Sequence, residues 1–248
     1  MRTMPAPSED PASDASPDDG NDRSPLIVTI DGPAGTGKST VAQLVAERLG
    51  LKVLDTGAMY RAATLLALRF GTDPSDGPAI ADAIETHAIE VDFAVDPPTL
   101  HLDGRDPGDA LRSREVEAIV SIVAAQPEVR DRLVAVQRSI ARSHPHLVTE
   151  GRDQGSVVFP DAQARFYLTA SSAIRAARRV DQLRRKGQSP DPAEIRDGIE
   201  ARDRLDAGRS DGPLTRPDGA IEIDTDALGL DEVVELMIRS IPTRDRNA

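Results

Sequence analysis

The chain of 248 residues is 39% hydrophobic and 2% aromatic, and it carries 42 acidic against 30 basic side chains for a net charge of −12. That size buries one substantial core with room for a small appended subdomain. The acidity disfavours a surface built to neutralise nucleic-acid phosphates, and the absence of cysteine excludes a disulfide framework, a thiolate metal site and a cysteine nucleophile.

Any anionic ligand must be held by local positive charge, nearly all of it guanidinium, since Lys38, Lys52 and Lys186 are the only lysines. Arginine suits bidentate phosphate recognition, although a GC-rich genome accounts for the same bias. The N-terminus lacks the basic-then-apolar order of a secretory signal, and no apolar run nears the length that spans a bilayer. The expectation is a cytoplasmic monomer, with neither a membrane nor a nucleic-acid polymer as partner.

Residues 1–24 hold six acidic residues, two arginines and almost nothing bulky, a composition expected to stay disordered. The expected domain is 25–241, followed by a short tail at 242–248. The apolar run from Leu26 to Ile30 predicts a strand buried on both faces, and a glycine-rich turn follows it. Val41, Leu44, Val45 and Leu49 recur at helical spacing before Gly50. A short strand is expected over 52–54 and a helix over 60–70. Alternation over 89–93 and 99–102, around Asp96, Pro97 and Pro98, predicts a small antiparallel insert spanning about 80–118.

Helices are then expected over 115–125 and 129–142, strands over 147–150 and 164–169, and two polar helices over 175–186 and 194–204. A strand over 220–223 and a helix over 230–241 close the chain. Strands alternating with helices predict an α/β fold with a parallel sheet covered on both faces.

Residues 32–39, Gly32-Pro33-Ala34-Gly35-Thr36-Gly37-Lys38-Ser39, satisfy G-x-x-x-x-G-K-[ST] between a strand and a helix, the setting that makes this spacing a phosphate-binding loop. Glycines let the backbone wrap an anion and present its N–H groups, and the following helix adds its positive end. Lys38 is expected at the β- and γ-phosphates of ATP, Ser39 on Mg²⁺ and Thr40 near the α-phosphate. No Asn/Thr-Lys-x-Asp segment surrounds any lysine, which disfavours a GTPase.

A second cluster, Glu150-Gly151-Arg152-Asp153-Gln154-Gly155, ends the strand over 147–150, the place where open parallel sheets bind ligands. Glu150 stands where an acid can hold Mg²⁺ through water. A third comprises Arg202, Asp206 and Arg209, downstream of Arg175, Arg178 and Arg179. Arg184 and Arg185 read as a solvated helix face.

Three stretches beyond the phosphate loop carry a resemblance. Residues 31–40, 54–61 (Leu-Asp-Thr-Gly-Ala-Met-Tyr-Arg), 150–162 and Arg202-Asp203 together resemble bacterial cytidylate kinases, P-loop nucleoside monophosphate kinases. The 54–61 and 150–162 stretches are the specific ones; Gln154 and Ser156 depart from residues more often apolar and threonine. The resemblance implies CMP and dCMP as acceptors and ATP with Mg²⁺ as donor. It implies that Thr56, Arg61, Arg152 and Arg209 hold the acceptor phosphate, that Ser121, Arg130 and Asp153 read the cytosine edge, and that Arg202 and Asp206 contact the sugar. Arg175, Arg178 and Arg179 would belong to a lid at about 172–190.

Phosphorylating a phosphate needs no general base, because the attacking oxygen is already anionic. This accords with a site lacking catalytic His or Cys, and His87, His101, His144 and His146 are read as surface residues. Lys38, Arg152, Arg178 and Arg179 would then serve catalysis by aligning and neutralising two polyanions. The rivals are a P-loop kinase for another small metabolite, such as shikimate or another nucleotide, and a nucleotide-binding module without turnover.

Overall fold

A computed structural model describes residues 24–242; the tails expected over 1–24 and 242–248 lie, apart from Ser24 and Pro242, outside the described residues. The central strand β1 (Leu26–Asp31) is buried except at Ile27. It pairs in parallel with β5 (His146–Gly151), in the register Leu26 to His146, and with β6 (Ala164–Thr169), in the register Val28 to Ala164. β2 (Lys52–Asp55) joins the far side of β5 and β7 (Ile221–Asp224) the far side of β6. The order β2-β5-β1-β6-β7 makes the parallel sheet expected from the alternation of elements.

Period-two alternation decides which side chains meet which layer. Val28, Ile30, Val148 and Phe166 face a core shared with α1 (Lys38–Leu49) and α8 (Leu230–Ser240), which contribute Val41, Val45, Val233 and Met237. Leu54 and Leu147 face the opposite core, shared with α2 (Thr56–Phe70) and α5 (Pro127–Ser143), which contribute Met59, Leu66 and Leu133. Between α2 and α5 run α3 (Gly77–Thr86), the antiparallel pair β3 (Ile89–Asp92) and β4 (Thr99–Leu102), a 3₁₀ turn and α4 (Arg114–Val123). Two further helices, α6 (Ser172–Arg185) and α7 (Pro192–Ala207), lie against each other between β6 and β7.

Two differences from expectation have local causes. Helix α2 starts at Thr56 rather than Tyr60, because the Asp55 carboxylate accepts the Ala58 N–H at 2.9 Å and caps it. Helix α3 was not foreseen, since Gly77-Pro78 reads as a loop. There Asp76 caps the Ala79 N–H at 3.1 Å, Pro78 fills the first turn, and Ile80, Ala81 and Ile84 bury one face. Among the described residues no helix is long and apolar enough to cross a membrane.

Candidate active site

The carboxyl ends of β1, β2, β5 and β6 converge on one edge of the sheet, and every cluster foreseen from the sequence lies there. The phosphate loop leaves β1 at Gly32, whose φ is 145° and where a Cβ would stand 2.2 Å from the Leu168 carbonyl oxygen on β6. Only glycine allows that approach. Thr36 donates to the Pro33 carbonyl at 3.1 Å, and the Lys38 ammonium donates to the same oxygen at 2.7 Å. Burial and the Arg152 guanidinium pull Lys38 down to about 7, against the attraction of Glu150 and Asp31. A phosphate bound beside it would favour its charged form.

Asp31, the last residue of β1, is fully buried and accepts the backbone N–H groups of Gln154 and Gly155, each at 2.7 Å. Burial lifts it to about 7 although those two N–H groups and Lys38 oppose the rise. Its carboxylate thus ties the phosphate-loop strand to the turn carrying Arg152 and Asp153. Gln154 is buried in a polar chain, accepting from Thr149 Oγ1 at 2.7 Å and donating to Gln137 at 3.2 Å. This explains how a position more often apolar tolerates an amide, while Ser156 is exposed.

Glu150 is buried beside Lys38, and its Oε1 has no hydrogen-bond partner. Burial and the nearby Asp55 raise its pKa, while Lys38 and the Ser39 hydroxyl hold it down. An orphaned carboxylate oxygen beside a serine hydroxyl fits a hydrated Mg²⁺, which binds through one or two side chains and the substrate's phosphates. Among the described residues no three His, Asp or Glu side chains gather as an all-protein metal cage.

A dense ion cluster fills the crevice beyond. Asp206, 1% exposed, accepts Arg152 Nε at 2.9 Å, Arg209 Nη2 at 2.5 Å and Ser121 Oγ at 3.2 Å. Burial alone would raise its pKa, but Arg152, Arg209 and Arg202 together hold it below the usual carboxylate range. Deeper in, Arg130, also 1% exposed, donates to Asp153 at 2.5 Å, Asp211 at 3.0 Å and the Tyr60 hydroxyl at 3.4 Å. Gly212 covers this pair, with a Cβ position only 1.9 Å from Arg130 Nη2. Arg61 and Arg202 converge on Glu117, at 3.2 and 3.1 Å, and Thr56 donates to the Glu150 carbonyl at 2.6 Å. Buried ion pairs contribute little net stability compared with apolar packing. So many charges around one crevice make it the candidate site for a charged ligand.

The arginines of α6 are placed differently from one another. Arg175 is buried, donating to the Ala34 carbonyl of the phosphate loop at 3.1 Å and pairing in two bonds with Asp203 at 2.6 and 3.1 Å. It braces the loop from behind. Arg178 donates to the Thr225 hydroxyl and carbonyl at 3.0 and 2.7 Å, and Thr225 in turn bonds the Thr36 carbonyl at 3.3 Å. Arg179 bonds Gln182 at 2.9 Å on its own helix. The four histidines are partly exposed; His87 pairs with Asp103 at 2.9 Å and His144 packs on Phe93.

A model of the cytidylate kinase family matches residues 28–243. The chain belongs to that family. A cytidylate kinase of Nocardia farcinica is 45% identical over 217 residues, which cover 88% of this chain and 94% of that one. Another, from Symbiobacterium thermophilum, is 46% identical over 215 residues, covering 86% and 95%. The kinase also matches a bifunctional pantoate ligase/cytidylate kinase of Prochlorococcus marinus at 45% identity, covering 86% of this chain and 44% of that protein.

Several partners in this kinase's crevice escaped the sequence reading. Asp31 sits inside the stretch singled out at 31–40, and an acid ending a buried strand next to a phosphate loop was the available signal. Asp203 sits in the Arg202-Asp203 pair that carries the resemblance, though its partner Arg175 could not be read from it; Glu117, Asp211 and Thr225 gave no local signal, because each acts on a residue at least 47 positions away.

Proposed function

We propose that this kinase transfers the γ-phosphoryl group of Mg-ATP to CMP and dCMP, giving ADP with CDP or dCDP. The observation that carries this reading is the buried Arg130–Asp153 pair facing the crevice beside the Asp206 cluster. Cytosine presents a 4-amino donor next to the N3 acceptor, which suits a carboxylate beside a guanidinium. Uracil reverses both groups and would set O4 against Asp153 and N3–H against Arg130, leaving charged groups mispaired.

On this reading Arg130, Asp153 and Ser121 read the base, Thr56, Arg61, Arg152 and Arg209 hold the acceptor phosphate, and Arg202 and Asp206 orient the sugar. Lys38 and the loop N–H groups hold the donor phosphates, and Ser39 with Glu150, through water, holds Mg²⁺. When bound, Mg²⁺ supplies charge neutralisation between donor phosphates. Arg152 stands close enough to Lys38 to repel its charge, and on this reading both act on the phosphoryl group that moves. No residue has to remove a proton.

The segment at about 80–118 serves as the acceptor-side insert and 172–190 as a lid whose Arg178 and Arg179 exchange their present partners for phosphate on closure. Water is a competing acceptor, which closure excludes. The enzyme acts in the cytoplasm, as a monomer, on free nucleotides. ADP release measured with CMP, dCMP, UMP, AMP and shikimate tests this assignment: turnover is expected with the cytidine nucleotides, and preference for any other acceptor contradicts it.

A further inference from the structure

Among the described residues, Glu117 is the one acid in the crevice besides Asp206 that contacts two of its arginines. It lies in the first turn of α4, and Ser121, one turn later on the same face, donates to Asp206. One carboxylate oxygen accepts Arg61 Nε at 3.2 Å from α2, and the other accepts Arg202 Nη1 at 3.1 Å from α7. All three side chains are largely buried but reachable, at 25%, 16% and 22% exposure. Each arginine gives Glu117 a single donor. Among the described residues no other protein acceptor takes the remaining N–H groups of Arg61, and Arg202 Nε is buried without a partner.

Left alone, these guanidiniums repel. Burial and the proximity of Arg152 lower Arg202 to about 10, with Arg61 adding to the effect and Asp206 and Glu117 opposing it. Burial would raise the Glu117 pKa, yet Arg61, Arg202 and the α6 residue Arg179 together lower it. Glu117 is thus a fixed negative charge between helices α2, α4, α6 and α7.

We propose that Glu117 is a positioning residue of the acceptor site, holding Arg61 and Arg202 together in the orientation that receives the acceptor while leaving their outer N–H groups free. This rests on the proposed assignment of those arginines to the acceptor. Removing the charge lets the two guanidiniums separate, which weakens acceptor binding. If the carboxylate merely competed with the acceptor's phosphate, removing it would strengthen binding, so the two roles differ in sign.

The test compares full-length wild type, Glu117→Gln, Glu117→Asp and Arg202→Met for KM of CMP, KM of ATP and melting temperature. Glu117→Gln is expected to raise KM for CMP about tenfold, the scale of coupling between contacting charges, with KM for ATP and the melting temperature close to wild type. Glu117→Asp, which keeps the charge but is one methylene shorter, is expected between the two and decides the matter if the Gln variant does not fold. An unchanged or lowered KM for CMP overturns the proposal, as does an equal rise in both KM values with a lowered melting temperature. Arg202→Met separates the two layers. If it leaves KM for CMP unchanged, the acceptor assignment falls and the proposal with it; if it raises KM while Glu117→Gln does not, only the role of Glu117 falls.

Discussion

Replacing Asp31 by Asn separates what this carboxylate does for stability from what it does for the site. Both of its oxygens accept a backbone N–H at 2.7 Å in a fully buried setting. Asn keeps one acceptor and turns an NH₂ toward the other N–H, leaving a buried donor unpaired at a cost of roughly 2 kcal/mol. Burial raises Asp31 from 3.8 to about 7 in the folded protein. A folded pKa above the unfolded one contributes stability that is present at low pH and lost as pH rises through the folded value. Between about pH 5.5 and about pH 8 wild type therefore loses roughly 2 kcal/mol that the Asn variant does not lose. Urea denaturation should show a stability gap between wild type and variant that is about 2 kcal/mol larger at the lower pH than at the higher. At that higher pH, kcat/KM for CMP should still fall at least about tenfold, since the turn carrying Arg152 and Asp153 has lost an anchor, a displacement that readily costs such factors. A stability gap that widens with pH would refute the burial argument, and unimpaired kinetics would refute the anchoring role.

The remaining predictions concern the donor side. Lys38→Ala should fold normally but lower turnover by about two or more orders of magnitude, the scale of a lost transition-state charge donor; near-wild-type activity would overturn the phosphate-loop assignment. Because Lys38 is lowered to about 7 in the free protein, ATP binding above that pH should take up a proton and weaken as pH rises, with the uptake absent in Lys38→Met. Calorimetry in buffers of different ionisation enthalpy reads this directly, and equal uptake in both proteins would contradict it. Arg178→Ala and Arg179→Ala should lower kcat or ATP use while leaving the preference among monophosphates intact; a changed preference would place these residues on the acceptor side.

What was legible in the sequence follows from how local each signal is. The phosphate loop is contiguous, and its glycines answer to fixed steric demands, as Gly32 against Leu168 shows. The sheet was readable because buried parallel strands are short apolar runs, and the β3–β4 pair because its alternation brackets a turn. Helix α3 was hidden by Gly77-Pro78, which mark both a loop and a helix start. Arg175 looked like the other arginines of its helix, and only the fold shows it buried against Ala34 and Asp203. Glu117 and Asp211 share that difficulty: a carboxylate's partner across the crevice leaves no mark in its own neighbourhood.

Acceptor selectivity bears most directly on the central claim, and kcat/KM for CMP against UMP on wild type and Asp153→Ala is the measurement. Mispairing in the Arg130–Asp153 site predicts a preference for CMP of roughly two or more orders of magnitude, and Asp153→Ala should shrink it chiefly by harming CMP. Comparable efficiency with UMP, or discrimination unchanged in Asp153→Ala, would contradict the account.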